Sequence, residues 1–511
     1  MKKSKLLLIN PWQTYPKDLE SEYQSFFPYG LACIGAVGLK EGFDTKIIDC
    51  LEDETRTEIG SKVRFGKTKE ELIQAIKRYK PDIVGISSLF SMFEADATEI
   101  AKLVKEIDKD IIVVLGGVTA TLEEIYKPLL DIGCYDIMCR GEGEAIFSDL
   151  LKNYNPTTKK IENLSQIDGI AYKTDAEIIT TPQRDFICDL DSLPMPAFEL
   201  LNIDKMLSNR YYSRWRNNPI GKRVMPMFTS RGCPYGCTFC SVHSQVGYRF
   251  RTYSTDYVIK VMKKCIQEYG ITHFHLEDDN LTLNKERAKE FFRELKKLNI
   301  TWDTPNGVRA DALDEEMLKL MVESGLTSVS IAAESGNEHV RLNIIKKMLK
   351  DSSIINAVEL CNKLDIPCIV FFILGFPQET LEQIKDTIDF AKKLAKEYNT
   401  INTIYIANPL PGTELSKEAV EKGYIKKKLD CTDYFEAIRI NKNSIIETEE
   451  FDKKKIFELL KAELDLTEFS VHNPSIPMFW ANQETAHVRA KRAFPRSSNR
   501  PYVWEWKENT K

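Results

Sequence analysis

The chain has 511 residues, too many for a single hydrophobic core and enough for two to four domains. Hydrophobic residues make up 43% and charged residues 29%, as in ordinary globular proteins. The formal net charge of −5 gives no reason to expect a nucleic acid as partner, because neutralising phosphates requires a basic surface. The longest apolar run, 366–376, contains a proline and a glycine and is too short for a bilayer. We therefore expect no membrane span and a cytoplasmic location.

The first 150 residues alternate strand-like and helix-like stretches. Continuous apolar runs suit strands that are buried on both faces of a parallel sheet. Five such runs occur: KLLLIN (5–10), DTKIIDC (44–50), PDIVGISSLF (81–90), DIIVVLGGV (110–118) and YDIMCRGEGEA (135–145). The alternation predicts an α/β domain over 1–150 with a Rossmann-like, flavodoxin-like sheet.

Small residues follow three of these strands, where such domains bind ligands. Their turns leave room for a large flat ligand or its nucleotide tail. The candidate residues are Ser87, Leu89, Gly116, Gly117, Gly141, Glu142 and Gly143, with Trp12 in the loop after the first strand.

The rest of the chain divides into three regions. Residues 151–221 contain a hairpin pattern and proline-broken stretches, which favour a linker. From 222 to 435 the strand and helix alternation restarts and predicts about six β/α units, a partial (β/α)6 barrel. Residues 436–511 predict a small, mostly helical region, whose aromatic and arginine-containing tail (487–506) packs on the barrel or serves as a lid.

Three cysteines cluster directly after the first strand of the predicted barrel. Cys233, Cys237 and Cys240 have the spacing C-x3-C-x2-C. Three thiolates on one loop can hold three irons of a [4Fe–4S] cluster and leave the fourth iron open for chemistry. Two other interpretations remain: a zinc site with His243 as fourth ligand, and three buried thiols.

This loop at this position resembles the radical SAM enzymes, over about residues 222–430. The resemblance implies that the open iron binds S-adenosylmethionine (SAM), which is cleaved to a 5′-deoxyadenosyl radical. It also implies a set of SAM-binding positions. These are Phe239, Glu277, Asp278, Arg309, Glu334, Ser335 and Gly375.

The N-terminal domain is similar to the cobalamin-binding domain that precedes many radical SAM barrels. The turns after the third and fourth strands would then line the cavity for the dimethylbenzimidazole tail. The D-x-H-x-x-G loop that supplies a histidine to cobalt is missing, and the first 242 residues contain no histidine. The resemblance therefore implies cobalamin without a protein imidazole as its lower ligand.

Together, the two resemblances imply a cobalamin-dependent radical SAM methyltransferase. It would methylate an unactivated carbon of a small molecule through the 5′-deoxyadenosyl radical and methylcobalamin, with an electron donor such as flavodoxin or ferredoxin. One alternative is a cyclase or rearrangement enzyme without methyl transfer. Another resembles the tRNA methylthiotransferases, which carry a second cluster that Cys33, Cys50, Cys134 and Cys139 would have to hold. A third is a non-catalytic redox sensor.

Overall fold

The computed structural model describes residues 3–209, 212, 222–425, 446–463 and 478–480. The chain forms two compact units. The first comprises Met1–Ser213, Val242–Gly247 and Asp430–Thr432; the second comprises Arg214–Ser241, Tyr248–Leu429 and Asp433–Lys511.

The first unit is built on a seven-stranded sheet in the order β12–β11–β8–β7–β6–β1–β3. The unit's strands are β1 Lys5–Asn10, β2 Gln13–Pro16, β3 Asp44–Asp49, β4 Arg56–Ile59, β5 Lys62–Phe65, β6 Ile83–Ser87, β7 Ile112–Gly116, β8 Ile137–Cys139, β9 Tyr154–Asn155, β10 Lys160–Ile161, β11 Ile170–Lys173 and β12 Ile178–Thr180. The five parallel strands, counted along the chain, lie in the order 2-1-3-4-5. That is the flavodoxin-like order, so the predicted fold class is confirmed.

Helices cover both faces of this sheet. They are α1 Tyr29–Lys40, α2 Lys69–Tyr79, α3 Glu94–Ile107, α4 Val118–Thr121, α5 Glu123–Ile132, α6 Gly143–Lys152, α7 Ile203–Ser208 and α8 Val242–Val246. Alternate residues of β1 serve two separate cores: Leu7 packs with α2, α3 and α5, whereas Leu6 packs with α1 and α6. Helix α2 starts at a capping box, in which Thr68 and Glu71 satisfy each other's backbone N–H groups.

Two features of this unit differ from the sequence expectation. A small antiparallel sheet of β2, β5 and β4 lies outside the main sheet, and the sequence analysis did not predict these four-residue strands. The segment 151–221, expected as a linker, belongs to this unit as far as residue 213. Its hairpin, β11 with β12, extends the main sheet antiparallel to β8.

The second unit contains the partial barrel. Its strands are β13 Val224–Met227, β14 Ser230–Arg231, β15 Arg251–Thr252, β16 His273–Leu276, β17 Thr301–Asp303, β18 Leu326–Glu334, β19 Cys368–Leu374, β20 Ile401–Ile406 and β21 Met478–Trp480. Six parallel strands follow the order β13–β16–β17–β18–β19–β20, and β21 pairs antiparallel with β20. The six expected β/α units are therefore present.

The helices of this unit are α9 Thr255–Tyr269, α10 Lys285–Leu295, α11 Glu315–Glu323, α12 Asp351–Lys363, α13 Leu381–Tyr398, α14 Glu414–Glu421 and α15 Lys453–Glu463. Helix α15 is held to α13 by ion pairs from Lys385 and Lys392 to Glu463, at 2.8 and 2.7 Å. The tail 487–506 lies outside the described residues. Within the described chain, no helix combines the length and apolarity that a membrane crossing requires.

Candidate active site

The three cysteines lie on an irregular loop just beyond β13 and β14. All three thiols are half-buried and none forms a disulfide. The backbone N–H of Cys240 donates to the carbonyl of Cys237 at 3.1 Å, and Asn280 Nδ2 donates to Cys233 Sγ at 3.7 Å. An N–H group aimed at a cysteine sulfur is one of the levers by which proteins tune iron–sulfur clusters.

The donor set fits a cluster better than a single ion. A zinc ion needs its ligand atoms close together around one centre. Among the described residues, only His273, His275 and Asp303 bring three potential metal-binding side chains within 4.8 Å of one another. The three cysteines do not converge in this way, and a cubane binds them through separate irons.

The far side of the cluster loop is fixed by Thr238. Its backbone N–H donates to the carbonyl of Ile345 at 3.0 Å, and its hydroxyl donates to the carbonyl of Ile344 at 3.2 Å. The Thr238 carbonyl in turn accepts from the backbone N–H of Leu415 at 2.9 Å. Segment 344–349, which follows a π-helical turn, therefore supports the loop directly.

Asp278 joins the end of β16 to the residues that lead into the cluster loop. Its carboxylate is buried and accepts from the backbone N–H of Thr229 at 3.1 Å, from the Thr229 hydroxyl at 2.8 Å and from the Ser230 hydroxyl. Burial raises the pKa of Asp278, and the bonds from Ser230 and Thr229 oppose that shift. The acceptor capacity of Asp278 is therefore used within the protein. Glu277 beside it is half-buried, which leaves it the better placed of the pair to face a ligand.

Arg309 is buried and fully engaged. Its guanidinium donates to Asp311 at 3.1 and 2.8 Å and to the carbonyls of Lys347 and Met348 at 2.8 and 3.0 Å. It also lies 3.6 Å from the centroid of the Tyr235 ring, on the cluster loop. Arg309 therefore positions the loop and segment 344–349, and a SAM carboxylate would have to share or displace these partners.

Glu334 ends β18 in a left-handed conformation with φ of 67°. Its Oε1 accepts from Lys347 Nζ at 2.7 Å, and both side chains are buried. Two neighbours of that lysine, Lys346 and Met348, also have positive φ, at 60° and 53°. Strained backbone of this kind persists where the surroundings over-determine it, as they do at functional sites. Ser335, expected as a ligand residue, instead bonds the Thr387 hydroxyl at 3.0 Å inside the fold.

The predicted adenine side of the site is formed by β19 and its following turn. The Phe239 ring lies 6.0 Å from the Phe376 ring, and Gly375 has φ of 87°. The backbone N–H groups of Gly375 and Phe376 donate to Glu379 Oε2 at 2.7 and 2.8 Å. Burial raises the pKa of Glu379 to about 8 against these two bonds. Glu379 thus holds the turn as a protonated acid at neutral pH.

Sequence reasoning missed Lys347, Tyr235 and Glu379. Lys347 lies 13 residues from Glu334 and belongs to no sequence motif, so no pattern in the sequence predicts their ion pair. Tyr235 sits inside the cysteine motif, where its spacing to the cysteines could have drawn attention. Glu379 precedes the N-cap of α13, a position where an acid suits the helix dipole anyway.

In the first unit, the turns after β6 and β7 approach each other closely and leave open space at Gly116; we call them the glycine cradle. No heavy atom lies within 4 Å of the position a Cβ would take on Gly116. A Cβ on Gly117 would come within 2.5 Å of the Ser88 carbonyl oxygen, so only glycine allows the turns after β6 and β7 to approach so closely. The turns are further joined by the Ser88 hydroxyl, which donates to Thr119 Oγ1 at 2.7 Å. Beside them Leu89 is 52% exposed, which is unusual for a leucine next to a buried strand.

The turn after β8 and the loop after β1 differ in how their predicted ligand residues are placed. Gly141 donates its N–H to Thr121 Oγ1 at 3.0 Å, which brings its turn to the end of α4. Glu142 and Gly143 are half-buried. Trp12 is fully buried, with the Arg64 guanidinium 4.4 Å from its ring centroid, and its indole nitrogen has no hydrogen-bond partner. Trp12 is therefore a core residue rather than an exposed wall.

Two family models match this chain. The Radical SAM superfamily matches residues 227–391, and the B12 binding domain matches residues 20–151. The first match falls in the second unit except for Val242–Gly247, and the second match falls in the first unit.

Two curated relatives extend the similarity over most of the chain. An uncharacterized methyltransferase of Pyrococcus horikoshii is 34% identical over 397 residues, which cover 77% of this chain and 78% of the relative. The cytidylyl-2-hydroxyethylphosphonate methyltransferase of Streptomyces wedmorensis is 29% identical over 454 residues, or 82% of each chain.

Solved structures share the architecture. The radical SAM methyltransferase TsrM of Kitasatospora setae, with cobalamin and a [4Fe–4S] cluster bound, aligns with a TM-score of 0.62 at 15% identity, over 94% of this chain and 84% of TsrM. The cobalamin-dependent SAM radical enzyme OxsB, with aqua-cobalamin bound, gives a TM-score of 0.63 at 20% identity, over 82% of this chain and 56% of OxsB. At these identities the likeness concerns the fold.

Proposed function

Because this chain belongs to the cobalamin-dependent radical SAM methyltransferases, we propose that it methylates an unactivated carbon of a small-molecule substrate. The observation that carries the proposal is the pairing, in one chain, of a three-thiol loop at the barrel strand ends with an open glycine cradle at the strand ends of the first unit. Two methyltransferase relatives match 77% and 82% of this chain, whereas three anaerobic magnesium-protoporphyrin IX monomethyl ester cyclases match 63%, 70% and 72%.

We assign roles to this chain's own residues. Cys233, Cys237 and Cys240 would hold the cluster, while the turns at Ser88, Gly116 and Gly117 would hold cobalamin. When bound, the cluster supplies the electron that cleaves SAM, and cobalamin carries the methyl group. The glycines contribute by leaving space, and the thiols by coordinating iron as thiolates.

The SAM-facing residues act by positioning rather than by acid–base chemistry. Phe239 and the Gly375 turn offer an apolar wall for an adenine ring, and Glu277 and Glu334 offer carboxylates. Since Lys347 holds Glu334 and Glu379 holds the Gly375 turn, these groups need little reorganisation when SAM binds. We further propose that a small reduced protein such as flavodoxin or ferredoxin supplies the electron, in the reducing cytoplasm.

The test is made on full-length protein purified without oxygen and supplied with hydroxocobalamin, SAM and reductant. We expect about four irons per chain, bound corrinoid, and formation of both 5′-deoxyadenosine and S-adenosylhomocysteine. Formation of 5′-deoxyadenosine with no S-adenosylhomocysteine, across a panel of candidate substrates, would contradict methyl transfer and favour a cyclase.

The methylthiotransferase alternative is not supported by the first unit. Cys33, Cys50, Cys134 and Cys139 are each buried among apolar side chains, and the described residues bring no three of them together. Burial raises the pKa of Cys139 to about 12, which opposes the thiolate form that binds iron.

A further inference from the structure

Three side chains inside the barrel form a cluster that the proposed methyl transfer does not use. His273 and His275 lie on β16, and Asp303 lies opposite His275 on the neighbouring β17. His275 Nδ1 is 2.6 Å from Asp303 Oδ1, and His273 Nε2 is 3.6 Å from Asp303 Oδ2. The relative exposures of the three are 1%, 0% and 4% for His275, His273 and Asp303.

The direction of these side chains follows from the strand pleat. Trp302 stacks on Phe292 of α10, so it faces the helix layer. Successive side chains of a strand point to opposite faces, so Asp303 faces the barrel interior, together with His275 and His273, which contact it. His275 and His273 of β16 precede Asp278 by three and five residues, so the cluster lies about 10–16 Å back along the chain from that carboxylate.

The cluster carries a charge that needs compensation. Asp303 is a buried carboxylate that lies beside two imidazoles. Within the described residues, no lysine or arginine pairs with Asp303. A neutral imidazole is the form of histidine that binds metals.

One ring nitrogen is already oriented for a ligand. His273 Nδ1 bonds Thr301 Oγ1 at 2.8 Å, which fixes the ring, while His273 Nε2 is buried without a hydrogen-bond partner and faces Asp303. A metal-bound histidine commonly uses its second nitrogen in such a bond to hold its orientation.

We propose that His273, His275 and Asp303 bind a divalent transition-metal ion inside the barrel, separate from the cysteine loop. Two imidazoles and one carboxylate suit zinc, iron(II) or manganese. The ion joins His273 and His275 of β16 to Asp303 of β17 and so braces the two strands against each other. Because β16 leads into Asp278, which holds Thr229 and Ser230 ahead of Cys233, the ion stiffens the base of the cluster loop.

The test uses full-length protein, anaerobically purified, with its cluster reconstituted and then passed over a chelating resin. We expect about one divalent ion per chain beyond the cluster iron, measured by inductively coupled plasma mass spectrometry. With zinc or manganese as the bound ion, X-ray absorption at the edge of that metal should show nitrogen and oxygen neighbours at about 2.0–2.2 Å and no sulfur shell near about 2.3 Å. A sulfur shell would place the ion on the cysteines and overturn the proposal.

Two variants distinguish metal bound at this site from metal bound at the protein surface. Asp303→Asn keeps the shape and should lower the bound ion at least about tenfold, whereas His339→Gln, on an exposed histidine of the same unit, should leave it unchanged. Metal retained in Asp303→Asn, or less than about a tenth of an ion in the wild-type protein, would overturn the proposal. The metal content of the wild-type protein does not depend on whether a variant folds.

Discussion

The two units prepare their strand ends for ligands in opposite ways. At the barrel ends, charged groups are present but already paired: Asp278 with Thr229, Arg309 with Asp311 and Glu334 with Lys347. At the ends of the first sheet, side chains are absent or small, and Gly116 faces open space. The contrast teaches that a site for a polar cofactor such as SAM consists of preorganised charged groups. A site for a large flat corrinoid instead depends on small or absent side chains that leave space.

The largest effect is expected when one thiol of the cluster loop in the second unit is removed. Cys240→Ala should abolish cluster assembly and SAM cleavage, because two thiolates cannot hold the cubane with one open iron. Iron and sulfide content and 5′-deoxyadenosine formation are the measurements. Cys188→Ala is the matched control, since Cys188 is exposed in the first unit and should leave all three unchanged. Full SAM cleavage by Cys240→Ala would refute the assignment of the loop.

Filling the cradle should disable only the first unit. Gly116→Val places a branched side chain where no atom lies within 4 Å, so the fold is kept while the space is lost. We expect the dissociation constant for hydroxocobalamin to rise roughly a hundredfold, about 2.7 kcal/mol, with the cluster intact. Equilibrium binding followed by visible absorption measures this.

Gly30→Ala serves as the comparison, because Gly30 also has free space around its Cβ position but lies at the start of α1. Equal binding by Gly116→Val and Gly30→Ala would remove Gly116 from the corrinoid site.

The paired charges of the barrel can be tested with two adjacent lysines. Lys347→Met leaves Glu334 buried without its partner and should reduce the free energy of unfolding by about 3–5 kcal/mol. Lys346→Met removes an exposed ion pair with Glu414 and should cost about 0–1 kcal/mol.

Denaturant unfolding of both variants gives these energies, and the KM for SAM should rise for Lys347→Met alone. Restoration of the KM by Lys347→Arg would show that the charge positions Glu334. Equal costs for the two lysines would contradict the buried frame.

The last prediction concerns the pH dependence of stability. Burial raises the pKa of Glu379 to about 8, so the native state holds a proton that the unfolded chain releases above its ordinary value of 4.5. Its contribution to stability is therefore present at acidic pH and is lost as the pH rises through about 8, by at most ~1.4 kcal/mol per pH unit.

Glu379→Gln keeps the shape without the titration and should flatten that part of the stability profile. The exposed Glu382→Gln on α13 should leave it as in the wild type. A profile unchanged by Glu379→Gln would mean that the acid is ionised in the native state.

Sequence patterns predicted both sheets because buried parallel strands are long apolar runs. They also drew attention to the cysteine loop, because three clustered cysteines have few structural explanations. They also predicted small turns after β6 and β7 of the first unit, since glycine and serine at strand ends are visible in the sequence. They did not predict that Trp12 is a core residue, because an aromatic side chain in a loop can face either way. Nor did they predict Lys347, whose ion pair with Glu334 depends on three left-handed residues in two separate segments. An ion pair that depends on tertiary structure produces no periodic pattern in the sequence.

The central claim is that one chain brings methyl transfer to cobalamin and radical chemistry together, and labelled SAM tests it most directly. Full-length protein with its cluster and hydroxocobalamin is reduced and given SAM with a deuterated methyl group, and the corrinoid and nucleosides are analysed by mass spectrometry. The account predicts deuterated methyl on the protein-bound corrinoid, an equal amount of S-adenosylhomocysteine, and 5′-deoxyadenosine from the same sample. An unlabelled corrinoid, or zinc in place of iron on the three cysteines, would contradict it.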